Sequence, residues 1–296
     1  MDNTIDWQLY RSFLAVLREG SLSAAARTLG QTQPTLGRHI DALEAALGIS
    51  LFTRFPGGLL PTNAAQTLRP HAEAMASHAA ALERMASCQG HDPSGVVRIT
   101  ASEVVGAEVL PPMLAALRRS HPGITIELVP SNRAQDLLQR EADIAVRMTR
   151  PRQAQLIARP IGDIEIGLFA APAYLAERGE PFEVEDLGRH SLIGFDQPSA
   201  FQREAAKWMP GLDRERFALR SDSDLAQLAL LRAGAGIGFC QLPLARRDGL
   251  RRILPDRYAL RLDTWITMHE DLRHSPACKT AFDALVAGML DYIERA

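Results

Sequence analysis

FLAVLREGSLSAAARTLGQTQPTLGRHIDALEAALGISLFTRFPGGLLPT, residues 13–62, decides the reading of the N-terminal part of this chain. Leu9, Phe13 and Leu17 recur every four residues, so they share one face of a first helix. Ser21 or Ser23 can cap a second, short helix that buries Leu22, Ala25, Ala26 and Leu29, and Gly30 suits the left-handed turn that closes it. Thr32 can cap a third helix. Pro34 is tolerated in its first turn, where a missing N–H costs nothing. Leu36, Ile40, Leu43 and Leu47 line its apolar face, and Gly48 ends it. Three helices with a tight turn between the second and third make a helix-turn-helix. Short extended pieces on either side of Pro56-Gly57-Gly58 then read as a hairpin, the wing of a winged helix-turn-helix.

Beyond the wing, Thr62 begins a long helix reaching about residue 87. Leu68, Ala72, Met75, Ala79, Leu82 and Ala86 alternate by four and three, the repeat of a coiled-coil seam. The seam predicts dimerisation through this helix, although the same stripe can pack on its own N-terminal domain. Pro70 inside it predicts a kink. Residues 89–95, QGHDPSG, are polar with Gly and Pro and read as a linker.

After the linker, apolar runs alternate with helical patterns. Strands are expected at 96–101, 124–129, 143–147, 165–170, 191–195, 217–220 and 236–240. Helices are expected at 103–119, 133–140, from Pro172, at 224–233 and at 275–294. Such alternation predicts an α/β domain with a parallel sheet flanked on both sides.

Composition narrows the function classes. The chain has 296 residues, 46% hydrophobic and 23% charged, with a formal net charge of −2, which suits a soluble globular protein of about two domains. No long apolar run is unbroken and no h-region opens the chain, so neither a membrane span nor a secretory signal is expected, and the cytoplasm is the expected compartment. Cys88, Cys240 and Cys278 form no C-x-x-C and read as inert thiols, with a redox role for Cys240 the rival. No metal or cofactor motif occurs. The chain lacks a G-x-S-x-G elbow, an H-E-x-x-H helix and a P-loop, and Gly234, Gly236 and Gly238 precede a strand instead of opening a helix, which argues against an enzyme.

The quoted stretch resembles the LysR-type transcriptional regulators, most closely in AAARTLGQTQPTL, LEAALGISLF and the PTNA that follows the wing. GVVRITAS, HPGITIELV, ADIAVR, RAGAGIGFCQLP and HEDLRHSP extend the likeness to the rest of the chain. The resemblance implies an α/β protein overall. Its winged helix-turn-helix would occupy residues 1–61, a dimerising linker helix 62–88 and a hinge 89–95. A two-lobed, periplasmic-binding-protein-like effector domain would follow at 96–296, with lobe I at 96–161 and 267–296 and lobe II at 162–266. It further implies a homotetramer that controls a promoter. Two departures stand out. Gly37 occupies a mid-helix position where the family usually has Ser, and the wing reads Phe55-Pro56-Gly57-Gly58 where relatives carry more basic residues.

For double-stranded DNA, the third helix offers Thr32, Gln33, Thr35, Arg38 and His39 on its exposed side. Gln can bond adenine bidentately and Arg can bond guanine or phosphate; Arg54 on the wing is placed for the phosphate backbone. Residues 1–90 hold seven Arg and seven Asp or Glu, so affinity per subunit is expected to be modest. A small-molecule effector is expected where strands end and helices begin. Ser102 and Glu103 follow one strand, Ser131 and Asn132 another, and Arg147 ends a third. The second lobe would add Phe195, Asp196, Phe201, Asp222 and Ser223. Ser131 and Ser223 serve equally as helix caps, and Arg147 as an ion-pair partner. Hydroxyls and backbone N–H groups at these helix N-termini suit a carboxylate, while Glu103, Asp196 and Asp222 disfavour a wholly anionic ligand, so the expected effector is carboxylate-bearing or zwitterionic.

Overall fold

The computed structural model describes residues 5–55, 57–87, 93–132, 142–151, 156–197, 203 and 212–294. It falls into two compact units whose division lies within one long helix, after Glu83.

In the first unit, α1 (Trp7–Glu19), α2 (Leu22–Leu29) and α3 (Gln33–Leu47) begin on the caps Asp6, Ser21 and Thr32. Ser21 therefore takes the role that the sequence left open between it and Ser23. Phe13, Val16, Ala25, Leu36, Ile40 and Leu43 meet in one buried cluster. Strands β1 (Phe52–Phe55) and β2 (Gly58–Pro61) pair antiparallel as the wing. Glu44 fastens the start of β1 to α3, because its Oε1 accepts the N–H groups of Leu51 at 2.6 Å and Phe52 at 3.1 Å. Gly58 is required at its position. Its φ of +138° and a carbonyl, Gly20 O, only 2.6 Å from where a Cβ would sit leave no room for a side chain.

Helix α4 (Asn63–Ser87) runs through Pro70 as one element. The stripe expected as a seam divides in two. Ala65, Leu68, Ala72 and Ala76 pack on the core of the first unit, whereas Met75 and Leu82 are 43% and 68% exposed. The side chain of Ala86 and the linker residues 88–92 lie outside the described residues.

The second unit holds one mixed sheet in the order β4-β3-β5-β11-β6-β9-β7-β8, with β10 added on β6. Its strands are β3 (Gly95–Ala101), β4 (Ile124–Pro130), β5 (Ile144–Arg147), β6 (Leu156–Ala170), β7 (Leu192–Gly194), β8 (Phe217–Arg220), β9 (Ile237–Gln241), β10 (Arg251–Ile253) and β11 (Ala259–His269). The helices are α5 (Leu110–Ser120), α6 (Pro172–Arg178), α7 (Asp224–Arg232), α8 (Leu242–Arg247) and α9 (Pro276–Glu294). Two groups of parallel strands, β4-β3-β5 and β8-β7-β9, are joined through β6 and β11. These two are antiparallel to each other and to the strands beside them, so the expected parallel sheet is corrected to a mixed one.

Strand β11 is not among the strand ranges set out above, and β6 starts nine residues before 165. Long strands that leave one half of the sheet for the other change their buried face along the way, which blurs the local signal. Helix formation after β3 is also interrupted. A π-turn at Val105–Val109 precedes α5, where Pro111 and Pro112 cannot donate to the preceding turn. As expected, α9 packs Phe282, Leu285, Val286 and Leu290 onto the core of this unit. The helix expected at 133–140 lies outside the described residues.

Candidate functional site

In the first unit, α3 and its cap present Thr32, Gln33, Thr35, Arg38 and His39 with different freedom. The Thr32 and Thr35 hydroxyls share a 2.8 Å hydrogen bond, and Thr32 Oγ1 caps the helix, so both are partly committed. Gln33 is exposed, its Oε1 accepting from Ser23 Oγ at 3.1 Å. His39 Nδ1 shares a 2.7 Å bond with the buried Ser12 Oγ, which ties the ring to α1. Arg38 on α3 and Arg54 on β1 are exposed. At Gly37 a Cβ would meet nothing within 4 Å. Gly37→Ala should therefore stabilise the first unit by about 0.5–1 kcal/mol, because it removes backbone freedom from the unfolded helix at no steric cost. Chemical denaturation of the variant checks this, and a loss of stability would mean that the site is crowded.

In the second unit, five of the ten expected effector residues, Ser102, Glu103, Ser131, Asn132 and Arg147, lie where β3, β4 and β5 end. Arg147 closes β5, its Nη1 donating to Ser131 O at 2.5 Å and its Nη2 to Thr100 Oγ1 at 2.8 Å. Burial pulls the guanidinium pKa below its ordinary value, and among the described residues no carboxylate lies within ion-pair distance of it. Asn132 Oδ1 accepts from Glu103 N at 3.0 Å, while its Nδ2 donates to Asp224 Oδ2 at 2.6 Å on the other half of the sheet. Burial raises the Asp224 pKa, the Asn132 bond opposes that rise, and the charge of Glu103 adds to it. Ser102 Oγ lies 3.5 Å from Met148 Sδ.

Asp196, Asp222 and Ser223 are occupied by structural tasks. Asp222 Oδ1 accepts the backbone N–H groups of Asp196 at 3.0 Å and Gln197 at 2.7 Å, and the Asp196 carboxylate is paired with Arg214. Ser223 caps α7. Phe195 is half-buried, and Phe201 lies outside the described residues. Sequence reasoning missed Asp224, one residue past Ser223, and Trp265 on the unforeseen β11. Trp265 sits directly opposite Arg147 in the antiparallel β5–β11 pair, so the two side chains share one sheet face.

A second tie joins the halves farther along. Arg232 donates to Glu108 Oε1 and Oε2 at 2.9 and 2.7 Å, Arg247 to Oε2 at 2.6 Å, and Asp248 is held by both arginines. The Arg232 bonds, reinforced by Arg247, hold the Glu108 carboxyl at about 2, below its ordinary 4.5. Because the folded value is depressed, the stability that Glu108 contributes is complete above its ordinary value. It is lost as pH falls toward about 2. Glu108→Gln should thus lower stability near neutrality yet weaken the acid dependence between about pH 5 and about pH 2, read by unfolding followed at stepped pH. An unchanged acid dependence would rule out the network as its source. Cys240 is buried, and burial pushes its thiol up to about 12, the reverse of a reactive thiolate.

A winged helix-turn-helix together with a two-halved α/β unit, its polar groups gathered at strand ends, defines a ligand-responsive transcription regulator. Residues 7–66 match the bacterial regulatory helix-turn-helix proteins of the lysR family, and residues 90–290 match the LysR substrate binding domain. The chain belongs to the LysR family: it is a transcriptional regulator with a DNA-binding helix-turn-helix domain and an effector-binding domain, in a family of regulators and not of enzymes. PtxR, an HTH-type transcriptional regulator of Pseudomonas aeruginosa, is 30% identical over 254 residues, covering 82% of this chain and 80% of that protein. CrgA of Neisseria meningitidis is 29% identical over 228 residues, covering 76% of each. Among solved structures, full-length CbnR in complex with its target DNA gives a TM-score of 0.64 at 21% identity, covering 98% of this chain and 99% of that one. The Vibrio cholerae virulence activator AphB gives 0.61 at 22% identity, covering 95% and 99%. No helix among the described residues is long and apolar enough to cross a membrane.

Proposed function

We propose that this regulator acts in the cytoplasm as a homotetramer built from dimers of the linker helix, and that an effector with an anionic group changes how it engages promoter DNA. The exposed Met75 and Leu82 support pairing through α4, because two large apolar side chains about two turns apart on one helical stripe lie open to solvent. On DNA, Gln33 reads a base edge, Arg38 contacts a base or phosphate, and Arg54 on the wing binds the backbone. Thr32 and Thr35 approach the backbone at the helix N-terminus, and His39 positions α3 through Ser12. The effector domain spans 96–296, with lobe I at 96–161 and 267–296 and lobe II at 162–266.

The observation that carries the effector reading is Arg147. It is a half-buried guanidinium with no counter-ion among the described residues, at strand ends where open α/β sheets bind ligands. Ser102, Glu103, Ser131 and Asn132 lie at the same strand ends, and Asn132 bonds Asp224 of the facing lobe. Ligand that binds one arrangement of the lobes more tightly shifts the population toward it. Helix α7 is placed to report such a shift, since Asp224 at its start and Arg232 at its end are both bonded to lobe I.

Binding of the full-length protein to its own upstream intergenic fragment, followed by fluorescence anisotropy across a salt series, tests the DNA assignment. Arg38→Ala and Arg54→Ala should each reduce the slope of log K against log salt by about one if each contacts a phosphate. Gln33→Ala should instead relax preference at one base pair, by about 1–3 kcal/mol. Unchanged slopes and preference would remove these residues from the interface.

A further inference from the structure

Two residues around the strand ends that carry Arg147 hold unsatisfied groups of opposite kinds. Glu103 Oε2 is buried and accepts no hydrogen bond, and Trp265 Nε1 is buried and donates none. Native proteins leave few buried polar atoms unpaired, because each forgoes its hydrogen bond to water and gains nothing in return. Two such atoms of opposite kind, on residues around one set of strand ends, are open to a molecule that completes them.

On the donor side, Trp265 shares its sheet face with Arg147, and a guanidinium has five N–H groups, of which Arg147 spends one on Ser131 and one on Thr100. Those remaining, with the indole N–H, match an anionic oxygen pair. The acceptor side is built by Asn132, whose single amide engages the Glu103 backbone and the Asp224 carboxylate. Two carboxylates close enough to feel each other's charge, one with an unused buried oxygen, match a cationic N–H donor. A ligand with only an anionic group would leave the acids repelling each other; one with only an amine would leave Arg147 without a counter-ion.

We propose that the effector is an amino acid or a zwitterion of that class, its acidic group held by Arg147 and Trp265 and its ammonium by Glu103 and Asp224. This rests on Arg147 being an effector contact, the reading given under Proposed function.

Thermal shift and calorimetry on the full-length protein test it with three matched sets at fixed ionic strength: the standard L-amino acids, the same skeletons without the amino group, and the corresponding amines without the carboxyl. At least one amino acid should bind, and its des-amino acid and its amine should each bind at least about tenfold more weakly. Glu103→Gln and Asp224→Asn should cut binding of that amino acid far more than binding of its des-amino acid. Trp265→Phe, which keeps a ring and removes the N–H, should weaken both, as should Arg147→Met. Should a plain carboxylate match its amino counterpart and still depend on Arg147, the zwitterion falls while the anion reading stands. Binding that is indifferent to Arg147→Met overturns both. If no amino acid binds the wild-type protein, the proposal is wrong whatever the variants do.

Discussion

Arg84→Ala is expected to destabilise the second unit by about 3–5 kcal/mol, the cost of leaving a buried charge without its partner. Arg84 is the last residue of α4 with a described side chain and belongs to the second unit. Its Nε donates to Asp143 Oδ2 at 3.0 Å and its Nη2 to Oδ1 at 3.2 Å, and the side chains are only 9% and 4% exposed. Asp143 Oδ2 also accepts the Arg98 backbone N–H at 2.8 Å, so the carboxylate cannot turn away to water without breaking the approach to β5 as well. The double variant Arg84→Met, Asp143→Asn should recover most of the loss, since it removes both charges and keeps an oxygen for Arg98. Urea unfolding followed by circular dichroism reads both variants. A loss under about 1 kcal/mol in the single variant would show that water reaches the pair and that it contributes as a surface bridge does.

Arg147→Met is expected to behave oppositely, with a change in ligand-free stability within about 1 kcal/mol. The variant loses hydrogen bonds to Ser131 O and Thr100 Oγ1, but it also removes a half-buried charge that nothing opposes. Ligand binding should collapse instead, by about 2–5 kcal/mol for any effector whose anionic group rests on this guanidinium. The comparison separates two arginines that look alike in the sequence. A structural arginine loses stability on replacement, and a binding arginine loses affinity. If Arg147→Met unfolds the protein as readily as Arg84→Ala does, Arg147 is structural and the cleft must be sought elsewhere.

Legibility in the sequence followed the range of the interactions involved. Ser21, Thr32 and Thr62 cap helices through bonds to residues three positions on, Gly30 and Gly48 close the helices they directly follow, and Gly57-Gly58 turns a four-residue hairpin strand onto its neighbour. All of these operate within a few residues, so the winged helix-turn-helix could be read residue by residue. The stripe on α4 was legible as a stripe. Which of its members the first unit covers was not, because periodicity names a face and says nothing of what lies against it.

The proposed effector site shows the other limit. Thr100, Ser131 and Arg147 come from three strand ends that the sequence had marked, yet the role of Arg147 depended on whether an acid faced it. That is decided by the neighbours its strand acquires. Trp265 faces Arg147 only because β11 pairs antiparallel with β5 in one particular register, and Asn132 meets Asp224 across 92 residues of chain. Local preferences of the chain thus specify the DNA-reading helices and the positions of the strands on their own. The order and register of those strands, the crossing of β6 and β11 between the halves, and the pairing or isolation of each buried charge arise only in the folded protein, since hydrogen bonding between distant segments selects them.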